Sequence, residues 1–190
     1  SYAAGLSVPT GAAVTISAIS ASGALTAEGG KYGAGIGGYN KESASTSYSF
    51  ASGGNITILS GTVNARGGEN AAGIGGAHGN GTGTGETICI SGGRVMATGG
   101  SFGAGIGGGS YGDGTGQNGQ ITIEGNAIVT ATGGSHGAGI GGGYNSDGTG
   151  KEGKIVLGGA ANVTASSVYG AGIGSGETSS DGVYGAGQSG

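Results

Sequence analysis

The segment Gly103-Ala104-Gly105-Ile106-Gly107-Gly108-Gly109 returns along the chain in near-identical form. Its copies are Gly33-Ala34-Gly35-Ile36-Gly37-Gly38, Ala72-Gly73-Ile74-Gly75-Gly76, Gly137-Ala138-Gly139-Ile140-Gly141-Gly142-Gly143 and Gly170-Ala171-Gly172-Ile173-Gly174. Successive isoleucines are 38, 32, 34 and 33 residues apart. Ala4-Gly5-Leu6 is a degenerate earlier copy, and Gly185-Ala186-Gly187-Gln188 a truncated later one. Self-similarity at a fixed period is the signature of a stacked-repeat architecture, and here it runs through the whole chain.

Two further segments hold fixed places in each repeat, both with the period-2 alternation of a half-buried strand. The first is Val14-Thr15-Ile16, Ile56-Thr57-Ile58, Ile88-Cys89-Ile90, Ile121-Thr122-Ile123 and Ile155-Val156-Leu157. The second is Leu25-Thr26-Ala27, Val63-Asn64-Ala65, Val95-Met96-Ala97, Val129-Thr130-Ala131 and Val163-Thr164-Ala165. A Gly-Gly pair follows the second segment at 29–30, 67–68, 99–100 and 133–134, a corner where backbone can turn without a Cβ. Residues 87–109 form one such coil, and residues 110–120 a loop to the next. The chain therefore reads as all-β: a single-stranded parallel β-helix solenoid of five to six coils, three short strands each, with glycine-rich loops. The whole of residues 1–190 is one domain, marked by Leu6, Ile36, Ile74, Ile106, Ile140 and Ile173. At about 4.8 Å per coil it makes a rod on the order of 25 Å to 30 Å long. A propeller would need four strands per blade and aromatic signatures that are missing; a polyglycine-type helical bundle is the main rival.

Composition agrees. Glycine fills 55 of 190 positions, against roughly 7 per cent in average proteins. With one proline, Pro9, collagen is excluded; with 34 per cent hydrophobic residues and a net charge of −4, the signature of disorder is absent. There is no tryptophan and there are two phenylalanines, so any core is thin and built of Ile, Val and Ala. The six basic residues, Lys31, Lys41, Arg66, Arg94, Lys151 and Lys154, are scattered, which argues against nucleic acid and anionic membrane surfaces. No apolar run approaches the roughly 20 residues of a membrane span, so membrane insertion is not expected. The single Cys89 forms no internal disulfide, and the first residues lack the charged and apolar regions of a signal peptide.

The Gly-Ala-Gly-Ile-Gly-Gly and Ala-Thr-Gly-Gly signatures resemble glycine-rich repeat modules of bacterial secreted and cell-surface proteins, which are similar to pectate-lyase-like right-handed β-helices. That class includes polysaccharide lyases, glycosidases, adhesins and carbohydrate-binding modules. The resemblance implies an extracellular or cell-surface location and a glycan or polysaccharide partner. It fixes architecture more firmly than activity, because this superfold hosts many functions.

Alternation assigns faces. Outward ladders are Thr15, Thr57, Cys89, Thr122, Val156 on the first strand and Thr26, Asn64, Met96, Thr130, Thr164 on the second. Threonine ranks of this kind are also what an ice-binding plane would use, although threonine suits any exposed strand and Glu28, Arg66 and Met96 break the flatness. On the third strand, inward Ala104 and Ile106 send Gly103, Gly105 and Gly107 outward by parity. A wall of bare backbone is expected, covered by inter-coil loops, by self-association through the glycine face, or by a flat polysaccharide.

A further ladder stands four residues before each marker: Tyr2, Tyr32, Asn70, Phe102, His136, Tyr169 and Tyr184. Five of the seven are Phe or Tyr in a chain only 5 per cent aromatic. Parity puts them on the core side, so an internal stack is the simpler expectation and an exposed sugar platform the alternative. In the loops, Asp113-Gly-Thr-Gly and Asp147-Gly-Thr-Gly occupy matching places, with Tyr111 and Tyr144 nearby. Stacked carboxylates about 5 Å apart would repel unless solvated, protonated or bridged, and calcium is the natural bridge; an Asp-Gly turn with no ligand explains the same residues. The residues assigned to sugar binding are Tyr39, Tyr111, Asp113, Tyr144 and Asp147, with Asp113 and Asp147 the weak metal candidates and no other cofactor expected.

Catalysis is less well supplied. A glycoside hydrolase needs two carboxylates facing each other about 5 Å to 9 Å apart, and only Asp113 and Asp147 form a plausible pair. A lyase needs a recurring basic residue beside its acids, which is missing. Cys89 lies mid-strand and the two histidines occupy unrelated repeat positions, so no nucleophilic triad forms. The expectation is a non-catalytic carbohydrate-binding module or adhesive stalk, with a polysaccharide-active enzyme and an ice-binding protein as alternatives.

Overall fold

A computed structural model describes residues 2–20, 22–41, 49–50, 53–79, 87–112, 119–146 and 153–178. Within them the chain is all strand, turn and loop. A short strand β1 (Leu6–Ser7) is followed by β2 (Ala13–Ile16), β3 (Ala24–Glu28) and β4 (Ile36–Gly37) as the first complete turn. The hairpin strands β5 (Asn40–Lys41) and β6 (Ser49–Phe50) come next. Four more turns follow: β7 (Asn55–Ile58), β8 (Thr62–Arg66), β9 (Ile74–Gly75); β10 (Thr87–Ile90), β11 (Arg94–Thr98), β12 (Ile106–Gly107); β13 (Gln120–Ile123), β14 (Ile128–Thr132), β15 (Ile140–Gly141); and β16 (Lys154–Leu157), β17 (Asn162–Ser166), β18 (Ile173–Gly174). The antiparallel β5–β6 pair explains the long first interval between isoleucines, because it is an insertion between two turns.

Equivalent strands stack in parallel into three sheets: β2, β7, β10, β13, β16; β3, β8, β11, β14, β17; and β1, β4, β9, β12, β15, β18. The pairing is in register throughout, with Ile56, Ile88, Ile121 and Ile155 aligned in one sheet and Val63, Val95, Val129 and Val163 in another. Ile36, Ile74, Ile106 and Ile140 align in the third. This is the β-solenoid of three strands per turn that the repeat predicts. The core is thin, as composition requires. Ile56, Ile58, Ile88, Ile90, Ile106, Ile121, Ile123 and Ile140 are fully buried, flanked by Val63, Val95 and Val129. A buried aliphatic side chain of this size contributes roughly 1.5–3 kcal/mol. In the last turn the same positions open to solvent: Leu157 and Ile173 are each 45 % exposed.

The third wall differs from its sequence-based expectation. Gly103, Gly105 and Gly107 do not face solvent; all three are buried. A Cβ on Gly105 would stand 2.6 Å from the Gly139 carbonyl oxygen and 2.8 Å from the Thr132 nitrogen, and one on Gly103 2.0 Å from the Ala71 oxygen. The wall is covered from within by the backbone of neighbouring turns, so it offers no bare glycine face for a partner rod. Parity failed because only two residues per turn are extended here. The second of them, Gly37, Gly75, Gly107, Gly141 and Gly174, lies at φ between 129° and 138°, where a side chain is strained. Each segment then closes on itself, with Ala34, Ala72, Ala104 and Ala138 donating to the carbonyl four residues on.

The Gly-Gly corner carries the same logic. The nitrogens of Gly29, Gly67 and Gly99 donate to the Arg66, Thr98 and Thr132 carbonyls of the next turn, and those of Gly68, Gly100 and Gly134 to the preceding one. A Cβ on Gly68, Gly100 or Gly134 would come within 1.8 Å of the carbonyl oxygen of Gly30, Gly68 or Gly100. The turns pass too closely for any other residue.

Candidate functional site

The corner leads straight into a stacked series of four-residue turns, closed by hydrogen bonds from the nitrogens of Gly33, Ala71 and Gly103 to the carbonyls of Gly30, Gly68 and Gly100. The two central positions of each turn project from the rod. The first holds Lys31, Glu69, Ser101, Ser135 and Val168; the second holds the ladder Tyr32, Asn70, Phe102, His136 and Tyr169. The expected internal stack is therefore corrected. These rings sit at the surface, half-buried except for Tyr169, which is 65 % exposed. Strand parity does not carry across a turn. Tyr184 lies outside the described residues.

A second file, which the repeat pattern alone did not single out, runs beside the first at four and five residues after each isoleucine. It contains His78, Tyr111 and Tyr144, ending in Glu177. Backbone hydrogen bonds zip the files together: Tyr144 N donates to Phe102 O at 2.8 Å, Glu177 N to His136 O at 2.7 Å, and Ser110 N to Asn70 O at 2.8 Å. The loops leave the third sheet at the point where the ladder of the preceding turn protrudes, which is why residues some 40 apart in sequence meet here.

The two files form one strip of rings. Tyr2 stacks on Tyr32 at 5.2 Å and 14°, and Phe102 on His136 at 5.0 Å and 11°. Edge contacts join Tyr32 to His78 at 5.5 Å, His78 to Tyr111 at 5.8 Å and Tyr111 to Tyr144 at 5.9 Å. Tyr144 meets Phe102 at 5.4 Å and His136 at 5.5 Å, and Tyr169 meets His136 at 5.4 Å. Offset, tilted and edge contacts at these separations are the favourable arrangements of aromatic rings. At about 4.8 Å per turn, the strip from Tyr2 to Tyr169 follows the rod for on the order of 24 Å.

Polar groups fix the ends of the strip. His136 Nδ1 is hydrogen bonded to Glu177 Oε2, both side chains about one-third exposed. Lys31 Nζ lies 3.4 Å from Glu69 Oε2 and 5.4 Å from the Tyr32 ring centroid; the Glu69 carboxylate, then the Tyr32 side chain, raise its pKa. Burial lowers the pKa of His78, which favours its neutral form. On the other side of the projecting turns runs a groove of about 550 Å³, floored by the corner glycines and walled by Glu28, Arg66, Glu69 and Val168.

Of the sugar-binding residues read from sequence, Tyr111 and Tyr144 are brought together in the strip. Tyr39 stands apart beside β5, in no ring contact with the strip. Asp113 and Asp147 lie outside the described residues, and with them the calcium reading. Among the described residues no three or more His, Cys, Asp or Glu side chains converge as a metal site would need. Cys89 faces outward, half-buried in its threonine register, with its thiol pKa raised by burial and by Glu124.

Fold and register define the class: this is a parallel β-solenoid of three strands per turn. The family model described as a beta helix repeat matches residues 56–80, 88–110 and 121–144. Each match starts at the first inward isoleucine of a turn and ends within two residues of the loop file of the aromatic strip. No curated protein and no solved structure matches the chain at a significant level.

Proposed function

We propose that the protein is a non-catalytic module that binds an extended glycan along its aromatic strip, as part of an extracellular or cell-surface bacterial protein in which it also serves as a rigid adhesive stalk. The β-helix repeat fold is consistent with such a role. The observation that carries the reading is the continuous strip of eight rings, from Tyr2 to Tyr169, held at the surface by backbone hydrogen bonds. The C–H faces of pyranose rings pack on aromatic rings such as the exposed Tyr111 and Tyr169, and rings repeated along the rod suit an extended chain of such sugars. Half-burial locks the rings in place before a ligand arrives, which lowers the ordering cost of binding.

A glycan array with the wild type and the Tyr111→Ala/Tyr144→Ala double variant tests this. Binding to plant, mucin or bacterial polysaccharides is expected, weakened at least about ten-fold in the variant, as loss of two interfacial aromatic anchors implies. No binding to any glycan leaves the stalk alone. Cleavage of a soluble polysaccharide by the pure protein overturns the non-catalytic reading in favour of a lyase or hydrolase. Thermal hysteresis in the presence of ice would favour the ice-binding alternative, and a melting shift on chelation would indicate calcium.

A further inference from the structure

The first ring ladder is broken. Asn70 separates Tyr2 and Tyr32 on one side from Phe102, His136 and Tyr169 on the other. Among the described residues the break is spanned by the loop file, through His78 and Tyr111, whose rings contact each other and reach Tyr32 and Tyr144. Tyr111 also has an unusual backbone. At five residues past the marker isoleucine, Gly79, Tyr111 and Asn145 all adopt left-handed φ, 78°, 60° and 55°. Glycine and asparagine take this conformation readily, whereas a bulky aromatic residue there is an outlier. The position is tightly held, with Tyr111 N donating to Tyr144 O at 2.7 Å. The ring is nonetheless 57 % exposed, so core packing does not explain why a strained tyrosine stands where glycine fits. Strain retained at an exposed ring is a mark of ligand contact.

We infer that Tyr111 joins two short aromatic patches into one platform and thereby makes the site selective for extended glycan chains over mono- and disaccharides. The inference rests on the glycan reading above. A short sugar touches one patch and gains little from the other. A long chain engages both, and its second contact is made at high effective concentration. Removing the bridging ring leaves two patches separated by an unsupported stretch of ligand, so the loss falls on long chains.

The test is calorimetry and array binding with the full 190-residue chain, using cello-, xylo-, manno- and chito-oligosaccharides from dimer to hexamer. Wild type, Tyr111→Gly and Tyr111→Phe are compared. Tyr111→Gly is expected to melt at or above the wild-type temperature, since glycine occupies the same left-handed place at Gly79. It is expected to lose at least about ten-fold in hexamer affinity and several-fold less in dimer affinity, as loss of effective concentration predicts. Tyr111→Phe keeps the hexamer preference. If wild type binds hexamer and dimer equally, or Tyr111→Gly weakens both alike or neither, the inference is overturned and the glycan reading stands. If wild type binds no oligosaccharide in any series, both fall.

Discussion

His136 is tied to Glu177 of the following turn through its Nδ1, while one ring face lies on Phe102. The ring is thus fixed both in position and in rotation. Removing the carboxylate frees that rotation. Glu177→Ala is expected to weaken glycan binding about five-fold, the equivalent of one net hydrogen bond of about 1 kcal/mol, with Glu177→Gln retaining most of the affinity because an amide oxygen still accepts. Titration calorimetry checks this, and equal affinity in all three proteins would show that Glu177 does not orient the ring.

The corner glycines set a second expectation. Gly100→Ala places a Cβ within 1.8 Å of the Gly68 oxygen, and backbone on backbone cannot yield as a side chain can. A destabilisation of about 3 kcal/mol or more is expected, at or above the upper range of overpacking effects. Gly158, around which an added Cβ meets nothing within 4 Å, is the control; Gly158→Ala should be neutral or stabilising by up to about 1 kcal/mol. Chemical denaturation of the two variants would expose an error if they moved together.

Core positions at equal register are not energetically equal. Ile106 is fully buried and Ile173 is 45 % exposed. Ile106→Ala should cost about 2–5 kcal/mol, as buried truncations do, and Ile173→Ala less than half as much. Comparable losses in denaturant midpoint would mean that the last turn is covered in solution.

His78 gives a pH dependence. Burial depresses its folded pKa below the ordinary value of 6.5, so the unfolded chain binds its proton more readily. Its contribution to stability is full above about pH 6.5 and is lost as pH falls through the lower folded value. Melting curves from pH 8 to pH 5 should fall less steeply for His78→Phe than for wild type; parallel curves would contradict the assignment.

Strand registers could be read from the sequence because Ile-Thr-Ile and Val-Thr-Ala alternate over enough extended residues for parity to hold, and the pairing of Ile88 with Ile56 and Ile121 follows directly. The third wall resisted the same treatment. At Ile106-Gly107 the strand is two residues long and ends at φ 130°, so counting inward and outward from Ile106 misassigns Gly103, Gly105 and the ring at Phe102. The loop file was half visible: Tyr111 and Tyr144 stood out, but His78 joins them only once its offset from Ile74 is compared with theirs from Ile106 and Ile140. What linked the files was backbone hydrogen bonding between turns, as from Tyr144 to Phe102, which leaves no trace in residue identity.

The corner glycines also separate two jobs that most binding surfaces mix. Gly68, Gly100 and Gly134 hold consecutive turns at one distance, whatever residues follow them. The rings inherit that distance and do not set it. The rod therefore behaves as a pegboard with fixed holes: exchanging Asn70 or Phe102 changes which holes carry a peg, but no exchange at the surface can change the gap between them. A ligand whose own repeat disagrees with the pitch of the corner would be rejected by geometry, and new specificities are open to this scaffold only through which turns bear rings.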